Sequence, residues 1–184
     1  MSEGHESFSP REPAGLWYFA YGSNLDPGTF LGRRRMRPIG TRVALLHGWR
    51  LVFDLPVGKG ERAVANLFPD AGSSATGVAY RISESQARRL DRSEGVPRAY
   101  RRHDVELREL GGGDFEAFTY VSPHRHPGRK PSRRYMGLLL RGARHHGLPS
   151  AWLDFLRGFE LAVDERSRQQ ELYEVSPPEP GGGK

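Results

Sequence analysis

The sequence predicts an α+β domain, a mixed, barrel-like β-sheet flanked by helices. Three observations predict it. Leu16 to Tyr21 is a nearly continuous apolar and aromatic run, as expected of a strand buried on both faces. Strand signals dominate the first two thirds of the chain, much of them in period-two alternation. In the last third the apolar residues recur every three to four positions. Strands followed by helices bury their apolar faces best when a curved sheet is covered by the helices.

Taken in order, the first strand, Leu16 to Tyr21, stops at Gly22-Ser23-Asn24. Asp26-Pro27 then reads as an N-cap followed by proline at the first position of a short helix. From Val43 to Phe53 the residues Val43, Leu45, His47, Trp49, Leu51 and Phe53 share one parity, which predicts one sheet face. Gly58 to Arg62 is a turn, Ala63 to Phe68 a strand and Gly77 to Ile82 another. Ser83 and Gln86 have capping-box spacing, so a helix is expected from Ser83 to about Arg92, stopped at Gly95. Tyr100 to Glu109 and Phe115 to Val121 alternate around Gly111-Gly112-Gly113 as a hairpin pair. Tyr135, Met136, Leu139, Leu140 and Ala143 stack at helical spacing before Gly147. Trp152, Phe155, Leu156 and Phe159 make a second amphipathic helix after Pro149.

At 184 residues the chain suits one domain with a proper core. Residues 1–15 read as a polar, disordered head and 176–184, ending PPEPGGGK, as a flexible tail, leaving a single domain over 16–175. With no cysteine, the chain has no disulfide, thiolate nucleophile or Cys-type metal site. No apolar run approaches the ~18 residues of a membrane span, and the first fifteen residues lack the pattern of a signal peptide. No membrane is therefore expected as a partner, and a cytoplasmic setting is expected. The net charge of +6 favours anionic partners. Its arginines are scattered (Arg33-Arg34-Arg35, Arg88-Arg89, Arg101-Arg102, Arg133-Arg134) with no interleaved aromatic stripe, which argues for a solvated surface and against nucleic acid.

Several chemistries fall away on spacing. Gly58-Lys59-Gly60-Glu61-Arg62-Ala63 imitates a dinucleotide-binding turn, but a strand follows it where a helix is required. His124 and His126, and the His145-His146 pair, lack a carboxylate at a familiar ligand spacing, so no metal is expected. Ser23 lies in no Gly-x-Ser-x-Gly elbow. Two segments stay open. Tyr21 to Leu25 is either an ordinary strand-to-helix turn or a cradle of main-chain N–H groups for a carboxylate or oxyanion. Glu94 is either a solvated acid at a helix end or an inward carboxylate whose proton affinity is raised by desolvation, as a general base near neutral pH requires. Asp91, one turn earlier, is expected to pair with a nearby arginine such as Arg88.

Trp17-Tyr18-Phe19-Ala20-Tyr21-Gly22-Ser23-Asn24-Leu25 resembles the strand-and-loop signature of the γ-glutamylcyclotransferases. Ser93-Glu94-Gly95-Val96, followed by Tyr100, is similar to the segment that holds their catalytic glutamate. Pro131-Ser132-Arg133-Arg134-Tyr135, Gly142-Ala143 and Gly147-Leu148-Pro149 resemble their C-terminal helical part. The matches keep the family's order from Leu16 to Phe159. The resemblance implies a six-stranded-type barrel with helices, and an enzyme that releases 5-oxoproline from a small γ-glutamyl compound without a cofactor. It implies Glu94 as the acid/base residue. It also implies a substrate cradle of Tyr18, Phe19, Ala20, Tyr21, Gly22, Ser23 and Asn24, with Tyr120 and Tyr135 lining the pocket. The glutathione-specific relatives have a shorter signature without the asparagine, so Asn24 argues against glutathione. The leaving group (amino acid, amine or larger metabolite) and the oligomeric state are not implied. The alternatives are a cyclotransferase acting on γ-glutamyl amines or other γ-glutamyl metabolites, and a non-catalytic basic module that binds nucleic acid.

Overall fold

The structure, a computed structural model, describes residues 15–58 and 60–163. Apart from Gly15, the expected head and tail lie outside these residues. Strand β1 is Leu16–Ala20, β2 Gly40–Pro56, β3 Arg62–Ile82, β4 Arg101–Glu109, β5 Asp114–Val121 and β6 Lys130–Pro131. Helix α1 is Glu84–Glu94, α2 Arg133–His145 and α3 Ser150–Arg157. A 3₁₀ turn, Ser23–Leu25, and a π-helical turn, Gly28–Arg33, stand between β1 and β2. Among the described residues no helix is long and apolar enough to cross a membrane.

The strands run β1-β5-β4-β2-β3, and β3 returns to pair with β1, from Leu16 opposite Ile82 to Ala20 opposite Val78. The ring therefore closes with five strands rather than six. The short β6 pairs with β3, in parallel. Within the ring only β1 and β5 run parallel. The closure depends on Gly77, where a Cβ would stand 2.4 Å from the Ala20 carbonyl oxygen and 2.8 Å from the Phe19 ring.

The expected single face of β2 is broken. Ala44 and Leu46 are buried while Val43 and Leu45 are only partly covered, but beyond Gly48 it is Leu51 and Phe53 that are buried. The pairing with β3 shifts register between His47 and Trp49, and Gly48 sits at φ +76°. One irregular residue inverts every later side chain, because the side-chain period is two. The two strands expected at Ala63 to Phe68 and Gly77 to Ile82 are the ends of one strand, β3. Turn-forming residues between them hid the continuity. Asp70 takes the Gly72 N–H at 3.3 Å and the Ser73 hydroxyl at 2.9 Å, a local excursion inside an extended strand.

Helix α1 begins as expected, with Ser83 Oγ accepting from the Gln86 N–H, and stops at Gly95 in the left-handed conformation, φ +69°. It runs on to Glu94, so the candidate acid is its last residue. Helix α2 starts two residues before Tyr135, capped by Ser132, and α3 ends before Phe159. Asp91 pairs with Arg102 at 2.6 and 2.9 Å rather than with Arg88, which pairs with Glu84 one turn away. The core includes Phe19, Leu25, Phe30, Leu46, Leu51, Tyr80, Leu90 and Leu139, all essentially excluded from water. Each such side chain contributes about 1.5–3 kcal/mol of transfer free energy.

Candidate active site

The end of β1 and the turn after it form one wall of the site. Their shape follows from local chemistry. The Leu25 N–H donates to the Gly22 carbonyl at 3.0 Å and the Asp26 N–H to the Ser23 carbonyl at 3.2 Å, which winds the 3₁₀ turn. Asp26 then caps the next turn as its sequence position suggests, taking both the Thr29 N–H at 2.9 Å and the Thr29 hydroxyl at 3.0 Å. Helix α2 holds the turn from behind. At Gly142 a Cβ would lie 2.3 Å from the Leu25 carbonyl carbon, so only glycine lets the two backbones approach. At Gly22 the fit is tight but softer, since a Cβ there would lie 3.0 Å from the Tyr135 hydroxyl and 3.3 Å from the Ala65 Cβ.

Asn24 is 5 % exposed and bridges the first strand to the acid. Its Nδ2 donates to the Tyr18 hydroxyl at 2.8 Å and to Glu94 Oε1 at 3.1 Å. Its Oδ1 is buried and has no hydrogen-bond partner among the described residues. The Glu94 side chain is 12 % exposed, and Arg34 Nη2 stands 2.9 Å from its Oε1. Arg34 also donates to the Ser93 hydroxyl through Nη1. It is aimed there by the end of the π-helical turn and by Arg35, which follows in the left-handed region at φ +52°. Burial raises the Glu94 pKa above its ordinary value of 4.5, while the Arg34 charge and the Asn24 hydrogen bond pull it back down.

Five tyrosines surround this carboxyl group: Tyr18, Tyr21, Tyr100, Tyr120 and Tyr135. Burial raises all of their pKa values, and the negative charge of Glu94 adds to the effect at Tyr18. Tyr135 is pushed up to about 12 even though the N–H groups of Ala65 and Ser23 favour its anion. All five are therefore neutral hydroxyls at physiological pH. Tyr120 donates to Asp91 Oδ1 at 2.7 Å and Tyr135 accepts from the Ala65 N–H at 3.1 Å. A buried cluster behind Ala65 fixes this wall. Asn66 donates to Asp54 at 3.0 Å and to the Ser122 carbonyl at 3.1 Å, and accepts from the Ser122 N–H at 2.9 Å.

A cavity of about 40 Å³ joins Glu94 to Tyr18, Tyr21, Gly22, Ser23, Asn24, Tyr120 and Tyr135. Phe19 and Ala20 are outside its lining. Both are fully buried, and the Phe19 carbonyl accepts from the Thr119 hydroxyl at 2.9 Å. Three neighbours of the carboxyl group escaped sequence reasoning. Tyr100 and Ala65 line the cavity, and Arg34 holds the acid. Tyr100 carried a weak signal as the aromatic that opens the strand after Glu94. Arg34 carried none, being one of three consecutive arginines read as surface.

The other polar candidates lie elsewhere. A ring nitrogen of His124 is 2.8 Å from the Arg98 carbonyl oxygen, and one of His146 is 2.8 Å from the Tyr80 hydroxyl. Burial and the neighbouring His145 push the His146 pKa down to about 4. Among the described residues no three metal-ligating side chains come together.

Known proteins resemble this chain in sequence and in fold. Residues 74–156 match the model of the AIG2-like family. The chain is 30% identical over 172 residues to the gamma-glutamyl cyclotransferase aclK of Aspergillus oryzae, covering 82% of this chain and 63% of that protein. It thus spans less than two thirds of the length of that fungal relative. It is 29% identical over 163 residues to the gamma-glutamylcyclotransferase of Mus musculus, covering 86% of this chain and 84% of the mouse protein. A solved structure described as a gamma-glutamyl cyclotransferase superposes with a TM-score of 0.70 at 24% identity, over 89% of this chain and 100% of that one, which establishes the fold. Part of the chain is thus similar to the AIG2-like family, most of it is similar to the γ-glutamylcyclotransferases, and its fold is theirs.

Proposed function

We propose that the protein is a γ-glutamylcyclotransferase, releasing 5-oxoproline from a small γ-glutamyl amide in the cytoplasm without a cofactor. The observation that carries the reading is a shielded carboxyl group, Glu94, in one cavity with the main chain of the Gly22–Asn24 turn. The names of the mouse and fungal relatives support it.

In this reaction the substrate's α-ammonium gives a proton to Glu94. The freed amine attacks the γ-carbonyl carbon, and a new C–N bond closes the five-membered ring around a tetrahedral oxyanion. Glu94 then returns the proton to the departing nitrogen as the old amide bond breaks, and the ring nitrogen gives up its second proton to the released amine, which leaves as an ammonium; one carboxyl group thus serves as base and then as acid. Main-chain N–H groups of the turn suit the oxyanion, each well-placed donor being worth roughly 3–4 kcal/mol. The unpartnered Asn24 Oδ1 is an acceptor suited to the ammonium group, beside the carboxylate that deprotonates it. The neutral tyrosines supply hydroxyls without adding a competing charge. Because nucleophile and carbonyl belong to one molecule, holding the folded rotamer replaces about 7–11 kcal/mol of barrier. At about 40 Å³ the cavity is well below the roughly 300–1,000 Å³ of a ligand pocket. Binding therefore requires the side chains at its mouth to yield.

The test is Glu94→Gln, which is close in shape and cannot take a proton. It is expected to fold and to release 5-oxoproline at least about 100-fold more slowly, the usual scale for a lost general base. Turnover near the unmodified rate would overturn the assignment.

A further inference from the structure

A second opening, a cleft of about 430 Å³, lies between the π-helical turn and α1. It has the volume of a ligand pocket. Arg33, Arg34 and Arg89 line it, and no carboxylate does. The Thr29 and Ser93 hydroxyls on the same wall are spent on Asp26 and on the Leu90 carbonyl, so the donors left are guanidinium groups. Arg89 is held by neutral groups, donating to the Arg35 carbonyl at 2.6 Å and lying against Met36 Sδ. Arg33 is exposed and has no hydrogen-bond or ion-pair partner among the described residues. Arg34 holds Glu94 through Nη2 alone, since Nη1 is on the Ser93 hydroxyl and Nε, shielded from water, has no partner.

Three guanidinium groups around one hollow repel each other, and planar N–H forks match the oxygens of a phosphate group. We propose that this cleft is a regulatory anion site, which takes a phosphate group, free or as a monoester, and whose occupation weakens the hold of Arg34 on Glu94. An anion there takes up part of the Arg34 charge, so less of that charge favours the Glu94 carboxylate. The other groups facing Glu94 do not make up the loss. Tyr18 on β1, Tyr21 just after it, Tyr100, Tyr120 on β5 and Tyr135 on α2 are neutral hydroxyls, and Asn24 is uncharged. On α1 itself, Asp91 is paired with Arg102. The acid limb of activity therefore moves to higher pH when the cleft is filled. The activity readout rests on the cyclotransferase reading, whereas binding of the anion does not.

The experiment titrates inorganic phosphate and, separately, glycerol phosphate. Sodium chloride holds the ionic strength at about 0.1 M, where exposed charges are screened beyond about 10 Å. Thermal melting reads binding, and kcat/KM for 5-oxoproline release across the acid limb reads the coupling. At least one probe is expected to raise the melting temperature with a definite midpoint concentration. The probe with the lower midpoint tells free phosphate from a monoester. Arg33→Gln is expected to melt and turn over like the original chain without the anion, and to raise that midpoint at least about tenfold, the scale of a charged hydrogen bond. In the original chain the probe should lower kcat/KM several-fold on the acid limb and leave the plateau above it in place. In Arg33→Gln the same concentration should move neither. No stabilisation by either probe, or the same midpoint in both chains, would overturn the site. Binding with an unmoved acid limb would overturn its regulatory role. If anion binding depends on Arg33 but no 5-oxoproline forms, the cyclotransferase reading falls and the anion site stands without it.

Discussion

At Glu94 two opposing influences meet, and their balance sets what the residue can do. Burial favours the protonated form, while Arg34 at 2.9 Å and the Asn24 amide at 3.1 Å favour the carboxylate. A base must be ionised in the free enzyme, so Arg34 extends activity toward lower pH. Replacing Arg34 with Met removes a lowering influence, and the acid limb of kcat/KM should move to higher pH. Arg34→Lys, which keeps the charge, should restore much of the original profile. An unmoved limb in the Met variant would mean that the working acid does not feel this ion pair. The same raised pKa has a consequence for stability. The protonated carboxyl group is the favoured folded form, so its contribution is present in full below the unfolded value near 4.5 and is lost as pH rises through the folded one. Glu94→Gln has no charge to bury. It should melt above the original chain at pH 8, with the difference closing as the pH falls to about 4. A gap that stays constant with pH would show that burial of this carboxylate is not the cause.

Helix α2 shows how one element carries two unlike glycines. At Gly142 an added methyl would press on the Leu25 backbone at 2.3–2.4 Å, and a backbone cannot swing aside as a side chain does. Gly142→Ala should cost about 1–3 kcal/mol by overpacking. It should also reduce activity, because Leu25 adjoins Asn24. At Gly137 the nearest atom to an added methyl is the flexible end of Arg141, 3.5 Å away. Gly137→Ala should therefore stabilise by up to about 1 kcal/mol through helix propensity. Thermal melts of the two variants, one down and one up, test whether contact or propensity governs each position. The helices were legible because their signals are local. Ser83 with Gln86, Gly95 and the apolar stripe of α2 all act within a few residues. The strands were legible in type and less so in extent. Gly48 and the Asp70–Ser73 excursion occupy opposite strands and make sense only as partners, which no period along one strand reveals.

For the whole molecule the same limit applies to the site. The Tyr21–Leu25 turn and Glu94 stood out in the sequence because each sits where an element ends. The closing of the barrel, which brings β1 against β3, and the π-helical turn that sends Arg34 to Glu94 are products of tertiary packing. A triple arginine looks like a solvated surface until the cleft beside it is seen. The net charge of +6 gives the molecule a positive field. Such a field acts over the Debye length, about 30 Å at 0.01 M salt and about 3 Å at 1 M. Raising salt across that range should lower kcat/KM for γ-glutamylalanine several-fold, through capture of the anion rather than through kcat. The loss should be smaller for γ-glutamylethylamide, which lacks the second carboxylate. If both curves fall in parallel, the charge of the substrate is not what the salt screens.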